Sequence, residues 1–232
     1  RGLWQTMKFA SPQNIARIKD SFFETTFLLS GFLAKADGRI SEQEIAHTEA
    51  VFNQMGLSAE QRKRAIGFFK QGAAAEFQPE PAVSSFMEIC RGQRQLCQTL
   101  LFFQISLALA DHKIDEAEHS ALQRIATLLG FTPAQLQQFL RMAQAQDHFH
   151  GSTGAGAGPQ SGTSLEDAYT ALGVTADVDD KALKRAYRKL MSENHPDKLI
   201  AQGVPEDMVK LATERSQEIQ AAYEMVKKSR GV

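Results

Sequence analysis

Long apolar runs are missing from this chain. No stretch reaches the ~20 apolar residues that a membrane-spanning helix needs, and the N-terminus carries no signal-peptide apolar region. Net charge is nearly absent as well: 26 basic and 27 acidic side chains leave −1 over 232 residues. A balance so close to zero supplies no overall basic field for gripping phosphate backbones, so nucleic acid is not an expected partner. Cysteine is scarce, with Cys90 and Cys97 the two in the chain. Seven residues apart in what reads as one helix, their Cα atoms would lie ~10 Å apart, beyond disulfide reach. Both therefore read as reduced core thiols of a reducing compartment. Strand-type alternation is absent. No nucleophile elbow, phosphate loop or zinc-protease motif occurs, which argues against an enzyme, and nothing in the chain calls for a cofactor.

What the chain does have is apolar residues at helical spacing almost throughout, which predicts an all-α fold. Residues 151–162 read GSTGAGAGPQSG, a Gly/Ser stretch that cannot bury a core. As a flexible coil it spans roughly 20 Å and tethers two domains without fixing their orientation. The expected division is an N-terminal segment 1–19, an all-α domain 20–147, a linker 148–163 and a C-terminal domain 164–232. In the first domain, helix starts are predicted at Pro12 behind Ser11, Glu42 behind Ser41, Ala59 behind Ser58 and Pro133 behind Thr132, for about seven helices. Pro79 and Pro81 interrupt the pattern midway.

The two halves of that domain repeat. Residues 36–44, ADGRISEQE, match 110–118, ADHKIDEAE, and the same offset pairs Gly56-Leu57-Ser58 with Gly130-Phe131-Thr132. A duplicated helical bundle is the simplest fold for this. The doubled A-D-x-x-I-[S/D]-E-x-E pattern resembles the TerB-like, tellurite-resistance type of domain over about residues 20–146. That resemblance brings in metal binding by acidic residues, for which Asp37, Glu42, Asp111 and Glu116 are the weak candidates. The residues themselves favour no metal. A calcium loop would need oxygen ligands where Leu33, Lys35, Leu107 and Leu109 stand, and Ser41 with Glu44 and Asp115 with Glu118 are spaced as helix-capping boxes. His47, His112, His119, His148 and His150 lack ligand spacing with either Cys and read as solvated surface.

Beyond the linker, Ser164 is placed to cap a short helix, Leu165 to Leu172, apolar at Leu165, Ala168, Tyr169 and Leu172 and closed by Gly173. A second helix begins at Asp179 or Asp180. Its apolar stripe is Leu183, Ala186, Tyr187, Leu190 and Met191; Lys181, Lys184, Arg185 and Arg188 gather opposite, with Lys189 at the edge. Pro196 forbids helical geometry at His195, so His195-Pro196-Asp197 is expected as an exposed, stiffened loop. A third helix is predicted from about Pro205 to Lys228, laying Met208, Ala212, Ile219, Ala222, Tyr223 and Val226 against the second.

Tyr169-Thr170-Ala171-Leu172-Gly173-Val174, then LKRAYRKL at 183–190, then His195-Pro196-Asp197-Lys198, then QEIQAAYE at 217–224 resemble a J-domain in order and spacing. The resemblance implies that the basic face, Lys184, Arg185, Arg188 and Lys189, docks on an acidic surface of a DnaK-type chaperone. It also implies that His195, Pro196 and Asp197, with Lys198, stimulate the partner's ATP hydrolysis. No Gly/Phe-rich region or cysteine-rich zinc domain follows, unlike a general DnaJ.

A TerB-like domain, a Gly-rich linker and a C-terminal J-domain together resemble a family of bacterial inner-membrane co-chaperones. By that resemblance a transmembrane segment upstream of Arg1 would hold the protein on the cytoplasmic face, with Leu3, Trp4, Met7 and Phe9 at the interface; an N-terminal arm packed on its own domain fits these residues equally. The present chain by itself is expected to be soluble. The implied partners are the chaperone, its nucleotide-exchange factor, and a client or membrane partner selected by the TerB-like domain, with a homodimer for the anchored form. The alternative makes the TerB-like domain a metal- or stress-sensing module with the J-domain as its output.

Overall fold

The computed structural model describes residues 11–36, 38, 56–109, 114–149 and 164–231; regular structure among them is entirely helical. The first domain contributes α1 (Pro12–Ala34), α2 (Ala59–Gly72), α3 (Pro79–Ile89), α4 (Arg94–Leu109), α5 (Glu116–Leu128) and α6 (Pro133–Asp147). The expected start at Glu42 lies outside the described residues, as do Ser41, Glu44, His47, His112, His150 and residues 1–10 and 150–163.

The caps explain where the described helices begin. Ser11 accepts from the Asn14 N–H ahead of Pro12, and Ser58 with Gln61, Asp115 with Glu118 and Thr132 with Gln135 form reciprocal capping boxes. The repeat survives in the backbone: α2 and α6 stand in matching positions, each preceded by a left-handed glycine, Gly56 at φ 80° and Gly130 at φ 82°. Pro79 and Pro81 do not merely interrupt; Pro79 opens α3, where its missing N–H is harmless. Cys90 and Cys97 do not share a helix either. Arg91 and Gly92, both at positive φ, reverse the chain between α3 and α4. The two buried thiols become neighbours: Cys97 beside it draws the Cys90 pKa down to about 7, while hydrogen bonding to Cys90 and burial push Cys97 up.

The core of this domain is aromatic. Phe22 meets Phe86 and Phe103 edge-on at 6.0 and 5.7 Å. A buried polar set ties α1 to α4, with Gln104 Nε2 donating to Thr26 O at 3.1 Å and Ser30 Oγ to Gln104 Oε1 at 3.3 Å. Gly31 and Gly72 allow α1 and α2 to approach backbone to backbone; a Cβ would fall 2.0 Å from Phe69 O or 1.9 Å from Leu28 O respectively.

The second domain contributes α7 (Leu165–Ala171), α8 (Asp180–Glu193), α9 (Pro196–Gln202), a 3-10 turn (Glu206–Met208) and α10 (Val209–Arg230). Ser164 caps α7 as expected, although Leu165 is 39% exposed rather than apolar core. Ala168, Tyr169 and Leu172 pack with Leu183, Leu190, Ile219, Ala222 and Val226, and Tyr187 stacks on Tyr223 at 4.0 Å and 6°.

Two expectations are corrected here. The third helix begins at Val209 rather than Pro205, because residues 206–208 form the tighter turn. Met208 and Ala212 also leave the hairpin core and join that of the first domain. The reason is length: α10 has 22 residues and α8 has 14, so at 1.5 Å per residue α10 overhangs its partner by about 12 Å. That overhang is apolar and needs another surface.

The first domain supplies it, so the free orientation implied by the Gly/Ser composition gives way to close packing. Leu199, Val204, Met208, Val209 and Ala212 share one apolar cluster with Ile18, Phe22 and Phe102. Met142, Ala145 and Phe149 of the α6 end join the cluster of the second domain. Polar pairs flank both regions: Gln146 Nε2 to Ala171 O at 2.8 Å, His148 Nδ1 to Asp167 Oδ2 at 3.3 Å, Lys19 Nζ to Glu206 Oε1 at 3.1 Å, and Gln61 to Asp207. Arg215 crosses the same boundary and lies over the Phe102 ring.

Candidate functional site

The sequence-predicted site residues converge on the end of α8 and the start of α9. Asp179 begins α8 by accepting from the Ala182 N–H at 2.6 Å. From there the helical repeat separates the two faces, Leu183 and Leu190 buried, Lys181, Lys184, Arg185, Arg188 and Lys189 exposed. Lys189 reaches Glu193 at 3.9 Å, whereas Lys184, Arg185 and Arg188 make no ion pair among the described residues. A cluster of cations without partners repels itself and attracts an acidic surface.

His195-Pro196-Asp197 is not a loop. His195 is extended, φ −66° and ψ 126°, as the residue before a proline must be. Pro196 and Asp197 then occupy the first positions of α9. Proline suits that place because the first N–H groups of a helix have no intrahelical partner. His195 caps the helix through its ring: Nδ1 accepts from the Asp197 N–H at 3.2 Å. With Nδ1 accepting, the ring proton belongs on Nε2. The His195 and Asp197 side chains are 58% and 89% exposed, so an imidazole donor and a carboxylate project side by side into solvent. Lys198 is partly buried, its Nζ 3.3 Å from Ser192 Oγ.

Behind this tip the chain is anchored three times. Asn194 Nδ2 donates to Leu190 O at 2.8 Å, Ser216 Oγ donates to Asn194 O at 3.2 Å, and Gln95 Nε2 donates to Glu193 O at 3.2 Å. Gln95 comes from α4, in the other domain. A cavity of about 30 Å³ lies beside it, between Gln98, Phe102, Asn194 and Arg215. That leaves room for only about two waters beside the guanidinium. Burial accordingly pushes the Arg215 pKa down to about 9, against the pull of Glu218 and Glu193.

Of the metal candidates, Asp37, Glu42 and Asp111 lie outside the described residues, and Glu116 is exposed in the first turn of α5. Among the described residues no three His, Cys, Asp or Glu side chains gather as a metal site would need, and no helix is long and apolar enough to cross a membrane.

Comparison with known proteins recognises both domains. The family model of Tellurite resistance protein TerB matches residues 24–141, and that of the DnaJ domain matches residues 167–230. Co-chaperone protein DjlA of Shewanella oneidensis is 41% identical over 91% of this chain and 79% of its own length. Its counterparts in Salmonella typhimurium, 40% identical over 90% of this chain and 80% of theirs, and Vibrio cholerae, 36% over 99% and 85%, agree. The chain belongs to the DjlA co-chaperone family. DjlA membership carries with it a TerB domain, a J-domain and an all-α fold, and it is a co-chaperone family rather than an enzyme family. No solved structure matches.

Sequence reasoning missed Gln95, Gln202 and Arg215. Each acts across a domain boundary more than a hundred residues wide, or close to it, and no local periodicity carries such a signal.

Proposed function

We propose that this protein binds a DnaK-type chaperone through Lys184, Arg185, Arg188 and Lys189, and stimulates its ATP hydrolysis through His195, Pro196 and Asp197, with Lys198 alongside. The observation that carries the reading is the exposed His195/Asp197 pair at the end of a basic helix face whose central cations have no acidic partner among the described residues. Complementary charge speeds encounter and sets register, and the tip supplies the allosteric effect on the partner. The chain contributes no catalytic group of its own; the ATPase is the partner's. The TerB-like domain selects a client or membrane partner, the nucleotide-exchange factor completes the chaperone cycle, and the protein works at the cytoplasmic face of the inner membrane, as a homodimer in its anchored form.

Single-turnover ATP hydrolysis by the chaperone tests this, with and without the chain and with His195→Gln. Acceleration by the native chain and not by His195→Gln is the expected result. Equal rates in all three reactions would remove the proposal.

A further inference from the structure

α9 has seven residues, too few for a helix to persist by itself in water. Yet its first turn presents Pro196 and Asp197, so something must hold it. The Gln95 amide does so from the other domain. Its Nε2 donates to Glu193 O at 3.2 Å, two residues before His195. Its Oε1 accepts from Gln202 Nε2 at 3.1 Å, at the last residue of α9. The amide orientation is settled by chemistry: a carbonyl can only accept, so Nε2 must face Glu193, and Oε1 is left for Gln202. One side chain thus spans both ends of the segment that carries His195-Pro196-Asp197.

The surroundings support that grip. Gly203 closes α9 at φ 105°, and a Cβ there would stand 2.4 Å from Ile18 Cγ2. Leu199 is buried in the apolar cluster of the first domain. Gln202 Oε1 is buried with no partner among the described residues, so loss of Gln95 would leave the Gln202 amide unpaired at both atoms.

We infer that Gln95, in the TerB-like domain, is a positioning residue for the His195-Pro196-Asp197 tip, so that the first domain sets how strongly the J-domain stimulates its chaperone. This rests on the proposed ATPase stimulation. In the docked arrangement the basic face and the tip stay exposed, so the first domain supports the J-domain rather than covering its contact residues.

The test uses the full chain and a DnaK-type chaperone, titrated to saturation, with Gln95→Ala, Gln202→Ala and the double variant. The maximal stimulated rate is expected to fall roughly three- to tenfold in each, as for the loss of one or two net hydrogen bonds, with the half-saturating concentration unchanged. The double variant should fall no further than Gln95→Ala, because that change already removes both the Glu193 and the Gln202 bonds. Arg188→Ala provides the contrast, raising the half-saturating concentration instead. In the same proteins, amide hydrogen exchange over residues 196–204 should quicken in Gln95→Ala and stay unchanged in α2 and α5. Native-like maximal stimulation in Gln95→Ala, or unchanged exchange over 196–204, would overturn the inference. Failure of the native chain to stimulate at all would instead remove the functional proposal, and the exchange measurement would still decide the positioning.

Discussion

The Arg215 guanidinium lies 3.3 Å from the centre of the Phe102 ring, joining α10 of one domain to α4 of the other. Its Nε and one Nη have no hydrogen-bond partner among the described residues. A desolvated cation over an aromatic face gains about 2 kcal/mol. Leaving guanidinium N–H groups dry costs several kcal/mol in effective terms. Burial also outweighs the pull of Glu218 and Glu193 and holds the Arg215 pKa down, and the cost of the dry N–H groups is the larger of the two figures. Arg215→Met keeps the stem packing and removes the charge. It is expected to raise the melting temperature by a few degrees, about 2–4 °C per kcal/mol at this chain length. Because the folded-state pKa lies below the unfolded one, the penalty is fully present at neutral pH and is relieved only above about pH 9. A lower melting temperature at pH 7 would show the ring contact to dominate.

Asp167 tests the contact between α6 and α7. Its carboxylate accepts from the Ser164 N–H at 2.9 Å and faces His148, and these interactions, the Ser164 bond first, hold its pKa below the usual value. A lowered folded pKa means stability that is present above the unfolded value near pH 4 and lost as the pH falls through the folded one. Asp167→Ala should cost about 1 kcal/mol at pH 6, the size of a helix-cap loss. Urea unfolding of both proteins should show that difference shrink steadily as the pH falls below about 4. A difference that stayed constant there would mean the carboxylate charge is irrelevant.

Gly203 and Gly92 separate backbone strain from domain contact. Both have positive φ, but a Cβ at Gly92 meets nothing within 4 Å, whereas one at Gly203 strikes Ile18. Gly92→Ala should lose about 1–2 kcal/mol, the left-handed penalty alone. Gly203→Ala should lose more, since Ile18 or α9 must shift. Equal losses in chemical denaturation would mean that the α1–α9 contact contributes nothing.

Cutting the chain between the domains should not part them. A protease site engineered into residues 151–162 and cleaved is expected to leave two fragments that co-elute on gel filtration at micromolar concentration. The apolar clusters that cross the boundary, with Ile18 and Phe102 on one side and Leu199 and Met208 on the other, provide the cohesion. Separate elution would restore the picture of a loose tether.

Much of the architecture was legible because it depends on local chemistry. Ser58, Asp115, Thr132 and Ser164 announce helix starts through backbone N–H groups three residues away. The split of α8 into Leu183/Leu190 and Lys184/Arg188 faces follows from a 3.6-residue period. The short helix after His195 was missed because Pro196 reads equally as an interrupter and as a first helical residue, and only the Asp197 N–H on the imidazole distinguishes the two. Domain packing was missed for a different reason. Met208 and Ala212 obey the hairpin period, and only the unequal lengths of α8 and α10 reveal that they lack a partner there.

The shared cluster also affects how the protein is made. Phe102 leaves the ribosome on the order of a hundred residues ahead of Arg215, which at about 5–20 residues per second is a delay of roughly 5–20 s. During that interval Ile18 and Phe102 face solvent where Leu199, Met208 and Ala212 will later sit. The nascent first domain therefore displays an apolar patch until its own C-terminal segment arrives to cover it.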